Sequence, residues 1–268
     1  MLVNTRAFEG FQMEGITTPQ GDFVDEAMRV LEEARKQGVV LRAMGATAVR
    51  LHCPNFAGLH RKLGREISDM DFVGYERQGS KIERVFKSLG YASRPLSYSF
   101  RLTGRLIFLD DVNARHVDVF LDRLAMCHTI DFSKRLEVDY PTIPLAELLL
   151  QKMQIVKLSE KDVIDAIVLL REHDLGDGDS ETINVGYAAK LLSNDWGFYY
   201  TATMNLKKVR DFTQGRPVLS EEDRQDVIGK TDQMLAAIED EPKSLSWKMR
   251  ARLGPSKRWY REVDTPKE

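Results

Sequence analysis

The chain has little cysteine and no long apolar run. Its 268 residues include two cysteines, Cys53 and Cys127, far apart and outside any ligand-like spacing. That excludes a disulfide scaffold and a cysteine-based metal site, and leaves free thiols in a reducing compartment as the expectation. No apolar stretch approaches the roughly 18 residues a membrane span needs. The opening residues, MLVNTRAFEGFQMEG, hold no continuous apolar segment of the secretory kind. A cytoplasmic protein with no membrane partner is expected. Net charge is also lacking: 39 basic side chains face 41 acidic ones, for a formal charge of −2. A global basic excess of the nucleic-acid-binding kind is thereby excluded, although a local patch is not. Internal repeats and low-complexity tracts are absent. What is there is an ordinary soluble composition, 43% hydrophobic and 30% charged. The length suffices for one large domain or two small ones.

Along the chain, residues 1–21 read as an arm or capping segment. Residues 22–37 have helical periodicity, with Asp22 placed to cap the start and Gly38 to end it. A short strand over 39–44 runs into Gly45-Ala46-Thr47 and an apolar helix that Pro54 stops. Residues 55–68 form a basic connection carrying His60, Arg61, Lys62 and Arg65. A strand over 71–75 follows, then a helix over 80–91 whose apolar face is Ile82, Val85, Phe86 and Leu89. Two strands around Gly104 make a hairpin-like pair. Residues 114–124 alternate, with Val117, Val119 and Leu121 on one side and His116, Asp118, Phe120 and Asp122 on the other, which is strand periodicity. The character changes near Tyr140-Pro141. From there helices are expected over 143–158, from Ser159 to the loop at 174–180, and over 184–194, 196–213 and 219–240, with a basic, aromatic tail over 243–268. The class is α+β, with a mixed-sheet domain over 1–140 and a helical domain over 141–268.

Three pieces of this pattern carry chemistry. Asp69 and Asp71 lie two apart at the start of a strand, so both carboxylates point to one face. Like charges that close raise each other's pKa unless a cation neutralises them, and hard divalent cations take carboxylate oxygens while leaving positions for phosphates. Solvated acids at a strand start are the plain alternative. Gly45 stands where a strand enters a helix. There the backbone comes close to a ligand and the helix N-terminus offers N–H groups and its positive dipole end to a phosphate, with Thr47 adding a hydroxyl. A tight turn needs such a glycine for its own sake as well. Asp118 lies on a strand whose other face is aliphatic, and a buried unpaired carboxylate is costly. A metal, a salt bridge or simple solvation accounts for it. Taken together, three acids on two strands beside a glycine turn suit two-metal phosphoryl transfer.

The order Gly45-Ala46-Thr47-Ala48-Val49, then Arg65-x-x-Ser68-Asp69-x-Asp71, then Asp118, resembles the polymerase-β-type nucleotidyltransferase superfamily. Lys152 in Leu-Leu-Leu-Gln-Lys-Met, followed by Lys161-Asp162-Val163-Ile164-Asp165, makes the AbiEii-type nucleotidyltransferase-like toxins the most similar group. The resemblance covers about residues 38–172. It implies a nucleotidyltransferase-fold mixed sheet with flanking helices, followed by a helical C-terminal domain. It also implies two Mg2+ ions on Asp69, Asp71 and Asp118, with Asp118 handling the acceptor hydroxyl. A nucleoside triphosphate would be held by Gly45, Ala46, Thr47, Arg65, Ser68, Lys152, Lys161 and Asp165. The implied activity moves a nucleoside monophosphate to an acceptor hydroxyl on RNA, tRNA or protein, in a toxin–antitoxin or phage-defence setting with a cognate antitoxin partner. Two features depart from the pattern. Ala46 stands at the second glycine position, and 23 residues separate Gly45 from Asp69, which lengthens that connection.

Local alternatives accompany the helical pieces. Ser159-Glu160-Lys161-Asp162 is a capping-box pattern, so Asp162 has a role in its own helix. Arg65 has Asp69 and Asp71 within its sequence reach as ion-pair partners. Trp247 and Trp259 in the basic tail either stack on RNA bases or pack on the domain. Two other functional classes stay open: a catalytically silent nucleotide-binding or interaction module, and a small-molecule, antibiotic-type nucleotidyltransferase.

Overall fold

In the computed structural model, residues 17–93 and 104–263 are described. Most of the expected arm at 1–21 and most of the first strand before Gly104 lie outside them. Helix α1 (Phe23–Lys36) starts where Asp22 accepts from the N–H groups of Val24 and Asp25, at 2.8 and 3.0 Å. Its stripe of Ala27, Val30, Leu31 and Ala34 is buried, and Gly38, at φ +67°, turns the chain out of it. Next come β1 (Leu41–Met44), α2 (Gly45–His52), α3 (Ala57–Lys62), β2 (Asp69–Gly74), α4 (Gly79–Ser88), β3 (Ala92–Ser93), β4 (Arg105–Asp110) and β5 (Arg115–Leu121). Helix α3 lies where only a connection was expected. It buries only Leu59 and His60, so it carries no helical apolar period to read.

The five strands form one mixed sheet in the order β1-β2-β5-β4-β3. Only the β2–β5 pairing is parallel; the others are antiparallel. One sheet face is apolar. Met70, Phe72, Leu106, Phe108, Val117 and Val119 are buried there, and Phe86 of α4 stacks on Phe108 with ring centroids 4.1 Å apart. Removing a core phenylalanine of this kind costs about 3–5 kcal/mol. The other face carries the acids. Residues paired across neighbouring strands point the same way, so the registers Asp71↔Asp118, Asp69↔His116 and Met44↔Asp71 align Asp69, Asp71 and Asp118 on that face.

Beyond the sheet, β6 (Arg123–Ala125) and β7 (Thr129–Asp131) form a short hairpin. The chain then runs along β1, where Ala43 donates to the Pro141 carbonyl and accepts from the Ile143 N–H. Helices α5 (Leu145–Met153), α6 (Glu160–Glu172), α7 (Val185–Leu192), α8 (Trp196–Gln214), α9 (Glu221–Asp240) and α10 (Leu245–Ala251) complete the helical part. The helix expected over 143–158 ends early, because the Asn205 amide donates to the free carbonyls of Met153 and Ile155, at 2.9 and 2.7 Å. The loop after α6 is stitched by two parallel three-residue strands, β8 (Asp174–Gly176) and β9 (Thr182–Asn184). No helix among the described residues is long and apolar enough to cross a membrane. Cys53 and Cys127 are free and buried.

Candidate functional site

Gly45 is the residue on which the acidic face turns. Its φ is +70°, a left-handed conformation. A methyl group there would lie 2.3 Å from Asp71 Oδ2 and 3.2 Å from Asp71 Cβ. Conformation and space both demand glycine. The first turn of α2 therefore closes directly over the Asp71 carboxylate, with no side chain capping that helix end. Ala46 and Thr47 are buried in the same turn. The Thr47 hydroxyl is directed at the Asp69 carbonyl, 3.4 Å away. Ser68 is exposed and its hydroxyl lies 3.4 Å from Asp69 Oδ1.

The charges on this face are mutually stressed. Burial, then the Asp69 and Asp118 charges, push the Asp71 carboxyl up to about 8, against the pull of Lys152 and Arg105. Asp118 is raised as well, by burial first, with Arg105 opposing and Asp69 adding to the rise. Arg105 Nη1 lies 3.2 Å from Asp118 Oδ2. The three acids expected to hold metal thus share a face and feel one another, but they do not form a finished cage. Among the described residues, no three His, Cys, Asp or Glu side chains are grouped so as to hold an ion. Asp118 is turned to Arg105, and Asp69 is exposed.

A second cluster lies behind the first. Asp165, fully buried in α6, accepts from Arg65 through both carboxylate oxygens, at 2.9 and 3.0 Å. Lys152 Nζ of α5 is 2.8 Å from the same carboxylate and 3.3 Å from Asp162. His60 Nε2 of α3 is 3.4 Å away, and its Nδ1 accepts from Arg50 at 3.3 Å. Burial alone would raise the Asp165 carboxyl, but Lys152, then His60 and Arg65, hold it well below the usual carboxylate range. Burial likewise opposes the Lys152 charge, which Asp165 and Asp162 restore and raise.

The expected nucleotide-contacting residues therefore separate into groups. Gly45, Ala46, Thr47 and Ser68 stay with the Asp69–Asp71 pair. Arg65, Lys152 and Asp165 come together, and Lys152 reaches the pair through its field on Asp71. Lys161 is exposed in the first turn of α6. The ion pair thought open to Arg65 goes to Asp165, not to Asp69 or Asp71. Asp162 takes the expected place in the cap of its helix, its N–H bonding the Ser159 hydroxyl at 3.3 Å, and its carboxylate also pairs with Lys152, a contact the sequence did not suggest. Arg105 was missed, and so was His60 as a partner of Asp165. An arginine opening a strand gives no sign of which cross-strand acid it will meet. In the tail, Trp247 packs edge-on against Tyr199, and Trp259 against Tyr200 while donating to Thr201 at 3.0 Å.

No family model matches the sequence, and no curated protein matches it. Among solved structures, a partial likeness is to the antibiotic-resistance factor ANT(2'')-Ia in its solution structure. It has 10% sequence identity and a TM-score of 0.37, over 63% of this chain and 93% of that one.

Proposed function

We propose that the chain is a Mg2+-dependent nucleotidyltransferase that moves a nucleoside monophosphate from a nucleoside triphosphate to an acceptor hydroxyl. The observation that carries this is the placement of Asp69, Asp71 and Asp118 on one sheet face, with the Gly45 turn closed over Asp71. The donor set is all carboxylate oxygen, as Mg2+ prefers. Burial, then the Asp69 and Asp118 charges, raise the Asp71 carboxyl, and a bound cation would favour its charged form. Asp69, Asp71 and Asp118 would hold the ions, which when bound supply charge neutralisation at the phosphates and a more acidic acceptor hydroxyl. The α2 N-terminus, with Gly45, Ala46 and Thr47, borders the phosphates. Ser68 and Lys161 belong to the same proposed nucleotide contacts. Arg65 and Asp165 contribute by fixing Lys152, whose charge acts on Asp71 from behind.

In the transfer, Asp118 orients the acceptor hydroxyl or takes its proton. The freed oxygen bonds to the α-phosphorus. The bond from that phosphorus to the bridging oxygen breaks, and pyrophosphate leaves with the electron pair. The division at residue 140, the RNA, tRNA or protein acceptor, and a cognate antitoxin of the AbiEii-type setting belong to this proposal as its finer parts. The packing of Trp247 and Trp259 onto α8 moves the tail away from a base-stacking role and leaves any RNA contact to its charges.

Incubation with α-labelled nucleoside triphosphates and Mg2+ tests the reading. Label transfer or pyrophosphate release should fall at least about 100-fold in Asp69→Asn and Asp118→Asn. Turnover at the wild-type rate in both would sink it. One observation favours a second reading, a silent nucleotide-binding module: Asp118 is engaged by Arg105. Binding of nucleotide without Mg2+ dependence or turnover would select that reading.

A further inference from the structure

The tail over 243–263 carries seven basic side chains and one acidic one. Its tryptophans fasten it down, and its arginines gather beside the β6–β7 hairpin. Trp259 donates to Thr201 of α8 at 3.0 Å, and its carbonyl lies so close to the first turn of α8 that a methyl group at Gly197 would come within 2.5 Å of it. Arg261 closes this strap. Its backbone N–H donates to the Cys127 carbonyl at 3.0 Å, its Nε to the Met126 carbonyl and its Nη2 to the Thr129 hydroxyl, both at 2.8 Å. A cleft of about 280 Å³ remains between the strap, the hairpin and the start of α8, and its wall includes Arg250, Arg258, Arg261, His128, Thr129 and Asp195.

The cationic heads on this wall are short of counter-ions. Arg250 donates to the carbonyls of Gly254 and Lys257, at 2.9 and 2.7 Å, and lies over the Trp196 ring. Neutral oxygens orient a guanidinium without cancelling its charge. Neither Arg250 nor Arg261 has a carboxylate at ion-pair distance among the described residues, and each keeps N–H groups that these bonds do not use. Arg258 meets Glu262 at 2.9 Å, but the two side chains are 63% and 68% exposed, so that pair holds weakly. Asp195, the acid on the wall, caps α8 by accepting from the Phe198 N–H at 3.0 Å.

His128 adds a donor that is fixed from behind. Its ring is buried and stacks on Phe198 with centroids 5.1 Å apart. Burial lowers the imidazole to about 4, with Asp195 opposing and Arg261 adding to the drop, so the ring is neutral near pH 7 and bears one N–H. Nε2 lies 2.8 Å from the Thr201 hydroxyl, which already accepts from Trp259. Thr201 is fully buried and its own O–H has no other acceptor among the described residues, so it donates to Nε2 and the ring proton sits on Nδ1. With Nε2 taken, the Nδ1–H is the group His128 offers the cleft.

We propose that this cleft is a phosphate-binding site, in which Arg250, Arg258 and Arg261 supply the charge and the His128 Nδ1–H orients the anion. It shares no residue with the acidic face and does not depend on the nucleotidyltransferase reading. A tetrahedral phosphate has enough oxygens to meet several guanidinium forks and an imidazole at once, whereas a carboxylate has two. The cleft is smaller than pockets that enclose drug-sized ligands, which suits one phosphate group, free or on a small ester.

Isothermal titration calorimetry of the full chain, in EDTA at low ionic strength and about pH 7, tests this with inorganic phosphate as the first probe. Ribose 5-phosphate, against ribose as its control, distinguishes an esterified phosphate from the free ion, and acetate tests the preference over a carboxylate. Phosphate should bind at least about tenfold more tightly than acetate. Arg258→Gln and Arg261→Gln should each weaken phosphate by about fivefold to tenfold, as loss of one charged hydrogen bond does. Arg261→Lys should recover part of that loss, because it keeps the charge without the fork. Thermal unfolding checks each variant, and Arg258→Gln, whose exposed side chain secures no other element, should melt with wild type. In protein carrying 15N-labelled histidine, phosphate should shift the His128 Nδ1–H signal. The proposal is overturned by acetate binding as tightly as phosphate, by phosphate affinity unchanged in both glutamine variants, by phosphate bound with the His128 signal unmoved, or by no binding to wild type at millimolar phosphate. Mg2+ is absent throughout, so none of these outcomes bears on the nucleotidyltransferase reading.

Discussion

Asp71 shows what a single side chain gives up for a site of this kind. Its carboxyl is held up to about 8 by burial and by its two acidic neighbours. Between the ordinary carboxylate value of 3.8 and about 8, the folded chain therefore binds more protons here than the unfolded chain does. Stability from this group is fully present at acid pH and is lost as pH rises through that window. Without divalent cations, Asp71→Asn should thus be more stable than wild type at pH 8, by about 1–2 kcal/mol after allowance for screening at the open side. The advantage should vanish near pH 4. Urea unfolding of both proteins across that range checks it, and a difference that does not change with pH would show that Asp71 is unstressed. The pair Asp69–Asp71, Gly45 and Asp118 were legible in the sequence because each depends on local spacing: a two-residue period and a glycine between strand and helix. The Arg105–Asp118 contact was not, since it needs the register of β4 against β5, which no local pattern encodes.

At the scale of elements, the Asp165 cluster fastens α6 to α3, to the lead into β2 and to α5 at once. Asp165→Asn would leave Arg65 and Lys152 buried beside a neutral amide, and should cost about 3–5 kcal/mol of unfolding free energy. Asp162→Asn, at a partly exposed carboxylate that meets Lys152 at 3.3 Å and accepts from the Ser159 hydroxyl at 2.7 Å, should cost about 1 kcal/mol. Denaturant midpoints of the two variants give the comparison, and equal losses would mean the buried pairing carries no special weight. Most elements here could be read from sequence, because α1, α4 and α5 to α9 carry apolar periods or caps, whereas α10 falls where only a basic, aromatic tail was expected. Helix α3 could not, since its short basic sequence has none. The premature end of α5 was hidden for a different reason: the amide that satisfies its last carbonyls comes from Asn205, about fifty residues onward.

For the whole molecule, the sheet's two faces divide the work. The apolar face packs on α1 and α4 and supplies stability. The acidic face is roofed by α2 and backed by the buried charges of α5 and α6, so Lys152 can act on Asp71 from a fixed place. The chain is tied into this arrangement where residues 141–143 hydrogen-bond along β1, and one continuous set of buried side chains runs from α1 to α9. Fold class was legible from the switch in period near residue 140. The meeting of Arg65 with Asp165 joins residues 100 apart in sequence; it follows from the folded whole and from no part of it. On the proposed function, Asp69, Asp71 and Asp118 form a cation–nucleotide site under the Gly45 turn. Anomalous diffraction at the manganese edge, from crystals grown with Mn2+ and α,β-methylene-ATP, tests it most directly. Manganese peaks are expected against those three carboxylates, with the triphosphate beside Gly45, Ala46 and Thr47. Manganese or triphosphate bound elsewhere on the chain, with the acidic face bare, would contradict it.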